Sequence, residues 1–155
     1  MYLSYDPGRT TGWARFTDDG EAAGYGQLTM DELLAHVENM ILLHNDDPIK
    51  VLIVEDFVLF GHKAQQQTGS RMEASQVIGI LRTLAERTGA EFFLQPSNIK
   101  SLAEKWTQLS PKGMVHSKTH WIDAFNHGAY YLIKQGIRKT ELERENDNKS
   151  KDSKE

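Results

Sequence analysis

Four consecutive aliphatic residues, Val51-Leu52-Ile53-Val54, constrain the fold more than any other stretch of this 155-residue chain. A short, uninterrupted apolar run suits a central strand covered on both faces. Such a strand implies a sheet with helices packed on each side. The flanking sequence supplies both. Residues 1–6 and 11–17 read as strands, joined by the turn Asp6-Pro7-Gly8-Arg9-Thr10 and followed by a second turn at Asp18-Asp19-Gly20. Residues 21–28 form a third, glycine-interrupted strand, which completes an antiparallel meander.

Thr29 and Glu32 make a capping box ahead of Leu33, Leu34, Val37, Met40, Ile41 and His44, which recur at helical spacing until Pro48. After the apolar strand, residues 57–69 read as a polar loop. Ser70 and Glu73 make a second capping box. Ala74, Val77, Ile78, Leu81, Leu84 and Ala85 mark a helix face that ends at Gly89. Glu91 to Gln95 is a short strand, and Pro96-Ser97 opens a further turn of helix. Residues 107–116 are a second polar loop, and a last helix runs from about Ser117 to Gln135. The expected class is α/β: a mixed five-stranded sheet, antiparallel meander plus parallel strands, with helices on both faces.

Residues 138–155 hold no aromatic residue and one aliphatic residue, Leu142. They are expected to be a charged, disordered tail or a frayed helix extension. The expected organisation is one domain, 1–135, with a tail, 136–155. The chain has no cysteine, which excludes disulfides and thiolate metal sites. It shows no secretory pattern and no apolar run near the roughly 18 residues of a membrane span. A soluble, cytoplasmic protein with no membrane association is the expectation.

Charge is unevenly distributed. Residues 1–56 carry three basic and eleven acidic side chains, net −8, whereas residues 57–120 carry eight basic and four acidic, net +4. An acidic half that holds cations beside a basic stretch that faces a polyanion produces this pattern.

Asp6 and Glu55 each end a strand-like apolar run, and His120 and Asp123 lie three apart in the last helix. Strand-end carboxylates joined by a helix pair suit a divalent metal site that also holds phosphate, the requirement of a metal-dependent nuclease. Two-metal phosphoryl chemistry needs hard oxygen ligands spanning ions about 4 Å apart. Clustered buried carboxylates keep their charge only around cations. Asp56 is an alternative to Glu55, because neighbours in a strand point to opposite faces and one of the two can join Asp6. Gly8 and Gly12 are expected to let backbone approach a phosphate. In the last helix His120, Asp123 and His127 fall within about 60° of one another. Trp121, Ile122, Phe125, Ala129 and Leu132 lie on the other side, so a buried apolar face and an outward His/Asp/His stripe are expected. A zinc reading of the histidines lacks cysteine and an identifiable fourth ligand.

These segments resemble one family. Leu3 to Ala14 (LSYDPGRTTGWA) resembles the first catalytic strand of RuvC-type Holliday junction resolvases. Ile53-Val54-Glu55-Asp56-Phe57 is similar to their second acidic motif, Gln95 to Lys100 (QPSNIK) to the segment after their fifth strand, and His120 to Phe125 (HWIDAF) to their closing helix. The resemblance runs through residues 1–135 in order and looks most like a bacteriophage branch.

It implies a ribonuclease H-like fold and a homodimer that nicks four-way junctions by in-line attack of a metal-activated water. It also implies two Mg²⁺ or Mn²⁺ ions per site and no small-molecule cofactor. Asp6, Glu55, His120 and Asp123 would be the catalytic metal ligands. Lys63, Arg71, Lys100, Lys112 and Lys118 are candidates for holding the phosphate backbone, and Phe57 or Phe60 for stacking on a base exposed at the junction. Two other readings stay open: a non-catalytic module that binds branched DNA, and a nuclease acting on flaps or RNA–DNA hybrids.

Overall fold

The computed structural model describes residues 1–56, 68–115 and 118–152, with side-chain surroundings outside 68–72 and 151–152. The elements run in the order β1 (Tyr2–Asp6), β2 (Thr11–Phe16), β3 (Ala22–Leu28), α1 (Met30–His44), β4 (Val51–Glu55), α2 (Thr68–Thr88), β5 (Glu91–Gln95), α3 (Lys100–Thr107), α4 (His120–Lys134) and α5 (Glu141–Asp152). One five-stranded sheet has the order β3-β2-β1-β4-β5. The meander β1-β2-β3 is antiparallel, and β4 pairs in parallel with β1 on one side and β5 on the other. The mixed α/β sheet expected from the sequence is therefore present.

The two-residue period of the strands sorts their side chains. Leu3 and Tyr5 of β1 join Leu52 and Val54 of β4 in a core under α1 and α2, where Leu33, Val77, Leu81 and Leu84 are fully buried. Tyr2 of β1 joins Ala14 and Phe16 of β2 and Ile53 of β4 in a second core under Ala129 and Leu132 of α4. β4 is an inner strand with every residue of its apolar run buried, as its composition requires. Helices thus cover both faces.

Local signals account for most boundaries. Thr29 caps α1, with Glu32 reaching back to the Thr29 N–H at 2.7 Å. Past the end of α1, His44 Nδ1 accepts the Ile49 N–H at 3.0 Å and turns the chain toward β4. The glycines that thin β3 have a steric purpose. The Trp13 ring lies against Gly24 and Gly26, and a Cβ at residue 26 would sit 2.9 Å from Trp13 Nε1.

Three expectations need correction. Helix α2 begins at Thr68, so Ser70 lies inside the helix rather than capping it. Most of the expected loop at 57–69 lies outside the described residues. Helix α3 is two turns long rather than one, because Trp106 stacks on Tyr130 of α4 and Thr107 Oγ1 bonds Asn126 Oδ1 at 2.6 Å. Helix α4 starts at His120, three residues later than expected.

The charged tail contains a helix. Thr140 and Glu143 form a capping box, and Arg144 grips Glu21 through two bonds of 2.7 and 2.8 Å. Local capping and ion pairs hold α5 where apolar burial does not. Among the described residues, no helix is long and apolar enough to cross a membrane.

Candidate metal and nucleic-acid site

Strands β1 and β4 are parallel and paired through Tyr5 and Val54, so their carboxyl ends lie side by side. Asp6 follows Tyr2 and Ser4 on the face that packs against α4, and Glu55 follows Val51 and Ile53 on the same face. Their carboxyl groups are near enough for each to shift the protonation of the other. Asp56 alternates to the opposite direction, and its N–H is taken by the Gln95 carbonyl at 2.8 Å.

Helix α4 brings the rest. His120 Nδ1 lies 3.2 Å from Asp6 Oδ2, and the His120 N–H donates to Gln27 Oε1 at 3.0 Å. The N-terminus of α4 comes this close to the sheet because residue 12 is glycine. A Cβ on Gly12 would overlap the His120 carbonyl and the Trp121 nitrogen. This corrects the sequence expectation: Gly12 admits the backbone of α4, not a phosphate.

Lys100, the first residue of α3, reaches back into the cluster. Its Nζ lies 3.1 Å from Glu55 Oε2 and 3.5 Å from Asp123 Oδ2, and so joins the strand carboxylate to the helix carboxylate. Lys100, a candidate for the DNA backbone from the sequence, stands within the acidic cluster in the structure. Lys112 and Lys118 are exposed. Lys112 lines a cleft of about 320 Å³ that it shares with Lys100, Thr119 and Asp123. Phe57, Phe60 and Lys63, and the side chain of Arg71, lie outside the described residues.

The outward stripe on α4 also needs correction. His120 and Asp123 are partly accessible, but His127 is fully buried (0 %). Both sides of α4 are packed, one on the sheet and the other on α3. The helical angle therefore relates the three residues to one another without saying which side meets solvent. The His127 Nδ1 is 2.9 Å from Gln95 Nε2, and its Nε2 is 3.3 Å from Glu55 Oε2. That last approach is within ion-pair reach but lacks the alignment of a full hydrogen bond. Gln95 was legible in principle as a polar residue ending the apolar strand β5, in register with Glu55.

The electrostatics follow from crowding. Burial pushes Asp6 up to about 7; Glu55 adds to the rise and the His120 bond opposes it. Burial also works against the Glu55 charge, but His127, Asp6 and Lys100 outweigh it and hold Glu55 well below the usual carboxylate range. The two carboxyls therefore titrate as a coupled pair, with Asp6 raised and Glu55 held low. The bond to Asp6 raises His120 despite its partial burial. Burial lowers Lys100, but Glu55, Asp6 and Asp123 outweigh it and raise it overall, so Lys100 stays cationic.

A divalent cation fits the donors here. Two neighbouring, mostly buried carboxylates need a compensating cation, and a third carboxylate and an imidazole stand beside them. Among the described residues, no three donors converge into a ready-made cage. The Lys100 ammonium supplies the counter-charge between Glu55 and Asp123.

No protein-family model matches the chain, and no curated protein matches its sequence. Solved structures match in shape. RuvC of T. thermophilus in complex with a Holliday junction substrate is similar with a TM-score of 0.61 at 9% identity, over 90% of this chain and 98% of that one. A second Thermus thermophilus RuvC structure gives a TM-score of 0.56 at 10% identity, over the same 90% and 98%. The chain has the RuvC fold. This is the ribonuclease H-like architecture that the motifs implied. At such identity the likeness is one of fold, and the chemistry rests on the side chains described above.

Proposed function

We propose that this protein is a metal-dependent, structure-selective endonuclease that nicks four-way DNA junctions. One observation carries the reading: Asp6 and Glu55, 49 residues apart in sequence, meet at one end of the sheet where α4 sets His120 and Asp123 beside them. The RuvC fold supports it, and so does the Holliday junction substrate held by one of the similar RuvC proteins.

Asp6, Glu55, Asp123 and His120 would hold Mg²⁺ or Mn²⁺, two ions per site. When bound, such ions supply Lewis acidity to phosphate and water and neutralise charge that develops during displacement. The chain's own groups do the rest. Asp6 and Glu55 would present anionic oxygens to the ions. Lys100 and Lys112 line the cleft beside Asp123 and would take phosphate oxygens. Thr119 closes the same cleft, buried beneath the start of α4.

A homodimer belongs to this reading. A four-way junction presents two strands related by symmetry, and a two-fold enzyme places one site on each. The face of α1 and α2 remote from α4 has apolar surface for a second copy, in a groove lined by Val37, Ile41 and Ile80 beside the exposed Leu34.

One experiment tests the function. The full chain is incubated with a synthetic immobile junction, a flap and an RNA–DNA hybrid, with and without Mg²⁺ or Mn²⁺. Paired nicks in the junction, only with metal, are expected. Faster cutting of flap or hybrid would move the substrate class. The Lys100 ammonium between Glu55 and Asp123 favours one competing reading, a module that binds branched DNA without cutting it, because it already neutralises charge that an ion would otherwise meet. Tight junction binding without cleavage in either metal would establish that alternative.

A further inference from the structure

A fully buried polar side chain beside the site belongs to a residue the proposed chemistry does not use. His127 is fully buried, and both its ring nitrogens face polar neighbours. Its protonation pattern follows from its neighbours. The backbone carbonyl of His127 only accepts hydrogen bonds, so the Gln95 side-chain atom 2.9 Å from it is the amide nitrogen. That same nitrogen lies 2.9 Å from His127 Nδ1. The two amide hydrogens thus serve the carbonyl and Nδ1, and Nδ1 is an acceptor. A neutral imidazole then carries its one hydrogen on Nε2. Within ion-pair reach of Nε2, among the described residues, is Glu55 Oε2 at 3.3 Å.

We infer that His127, locked in its Nε2–H tautomer by Gln95, is a positioning residue for Glu55. It holds the Nε2–H 3.3 Å from Oε2, near enough for a small ring rotation to close the bond, and so restrains the direction in which that carboxylate faces the site. The inference rests on the proposed role of Glu55 as an ion ligand. It also removes His127 from the candidate ligands. A ring nitrogen that carries hydrogen has no lone pair to offer, and the other is occupied by Gln95. The register makes the arrangement rigid. Gln95 of β5 pairs directly with Glu55 of β4, so the amide that sets the tautomer and the carboxylate that receives the N–H are held by adjacent strands. Helix α4 carries His127 across both. Groups that hydrogen-bond a metal-binding side chain in this way orient it and tune its affinity.

The test joins a spectroscopic readout to a metal readout. In ¹⁵N spectra of the full-length protein, the His127 ring should show hydrogen on Nε2 and none on Nδ1. Glu55→Gln should shift the Nε2 signal. Hydrogen on Nδ1, or an Nε2 signal indifferent to Glu55→Gln, would overturn the inference. Calorimetric Mn²⁺ titration without DNA then compares His127→Gln, whose amide N–H reaches about as far as Nε2, with His127→Leu, which has no donor. The leucine variant should bind Mn²⁺ at least about 10-fold more weakly than wild type, and the glutamine variant within about 3-fold of it.

Equal losses in both variants would mean that only the packing of the ring matters, and the inference fails. Should His127→Leu not fold, Gln95→Leu takes its place. It should release the tautomer and weaken Mn²⁺ binding, and an unchanged affinity would again overturn the inference. Wild-type protein that binds no Mn²⁺ would instead sink the metal-site reading, with the ¹⁵N signals still deciding the contact between His127 and Glu55.

Discussion

Gly12 of β2 stands against the backbone carbonyl of His120, so near that one added methyl group would overlap it. Gly12 is also the strand partner of Asp6. One hydrogen atom in place of a side chain thus sets the distance between the sheet end that carries Asp6 and the helix end that carries His120.

Gly12→Ala should therefore separate Asp6 from His120. The clash involves backbone, which has no rotamer to relieve it, so a cost of about 1–3 kcal/mol in stability is expected. Junction cleavage should fall more steeply than stability, because the pair at 3.2 Å is lost even in molecules that fold. Denaturant unfolding and cleavage assays on the same preparation check this. Unchanged activity in a folded Gly12→Ala variant would show that the approach of α4 does not set the site.

Asp6→Asn and Glu55→Gln should each abolish cleavage and leave junction binding within a few-fold, since the exposed Lys112 and Lys118 are unchanged in both. Asp56→Asn should cost little, because the pleat turns that side chain away from Asp6. Cleavage rate and electrophoretic binding, measured side by side, separate the two effects. An essential Asp56 beside a dispensable Glu55 would contradict the strand register.

The parts of the site that were legible in the sequence are those fixed by local periodicity. The apolar runs ending in Asp6 and Glu55 place both acids on strand ends, and the period of two puts them on one face. The spacing of three joins His120 to Asp123. The illegible parts are set by contacts between distant segments. The wheel of α4 relates His127 to His120 but does not say that this part of the helix turns onto the ends of β4 and β5. Nothing local to Lys100 distinguishes a lysine that reaches into the acidic cluster from one that faces DNA. The role of Gly12 becomes visible only once α4 is docked. For Glu141–Asp152 the near absence of apolar residues left a disordered tail or a frayed helix extension as the expectation, and the Thr140/Glu143 capping box that starts the helix went unread.

That helix should matter little to the body of the protein. Arg144 pairs with Glu21 at the surface, and exposed pairs contribute less than about 1 kcal/mol. Truncation after Lys139 should accordingly lower thermal stability only slightly. Truncation after Gln135 should cost more. It removes Ile137, which packs on the second core, and Arg138, which bonds the Gly20 carbonyl at 2.6 Å and lies over Phe125. Thermal unfolding of both truncations measures the difference. Equal losses would place the docked part of the tail beyond Lys139.

Lys100 should compete with added metal for the same carboxylates. Lys100→Met removes the ammonium between Glu55 and Asp123, and those oxygens then face each other uncompensated. Lys100 is one-third exposed, so solvent screens part of the effect and a loss of about 1 kcal/mol is expected without divalent ions. Mg²⁺ should then stabilise the variant more than wild type, because the ion takes over the missing counter-charge. Melting temperatures across a Mg²⁺ titration report this. Equal stabilisation of both proteins would mean that Lys100 and the ion do not share that space.

His36 should make the fold sensitive to mild acid, independently of the metal site. It lies in α1, with Trp13 4.8 Å from its ring and the Tyr5 hydroxyl 3.1 Å from its Nε2. Burial keeps Tyr5 protonated well above its ordinary range, so Tyr5 donates and Nε2 accepts, which requires a neutral imidazole. Burial, helped by the Arg15 charge, pushes His36 down from 6.5 to about 4. Between those values the unfolded chain binds the proton and the folded chain does not. Stability from this group is therefore complete above pH 6.5 and is lost as the pH falls toward 4. A shift of this size corresponds to about 2–3 kcal/mol once the residual exposure of the ring is allowed for. Calorimetric unfolding of wild type and His36→Gln from pH 7 to 4 isolates the contribution, since the other titrating groups are common to both. The wild-type curve should fall more steeply across that window. Parallel curves would show that His36 is protonated in the folded protein, with its bond from Tyr5 broken.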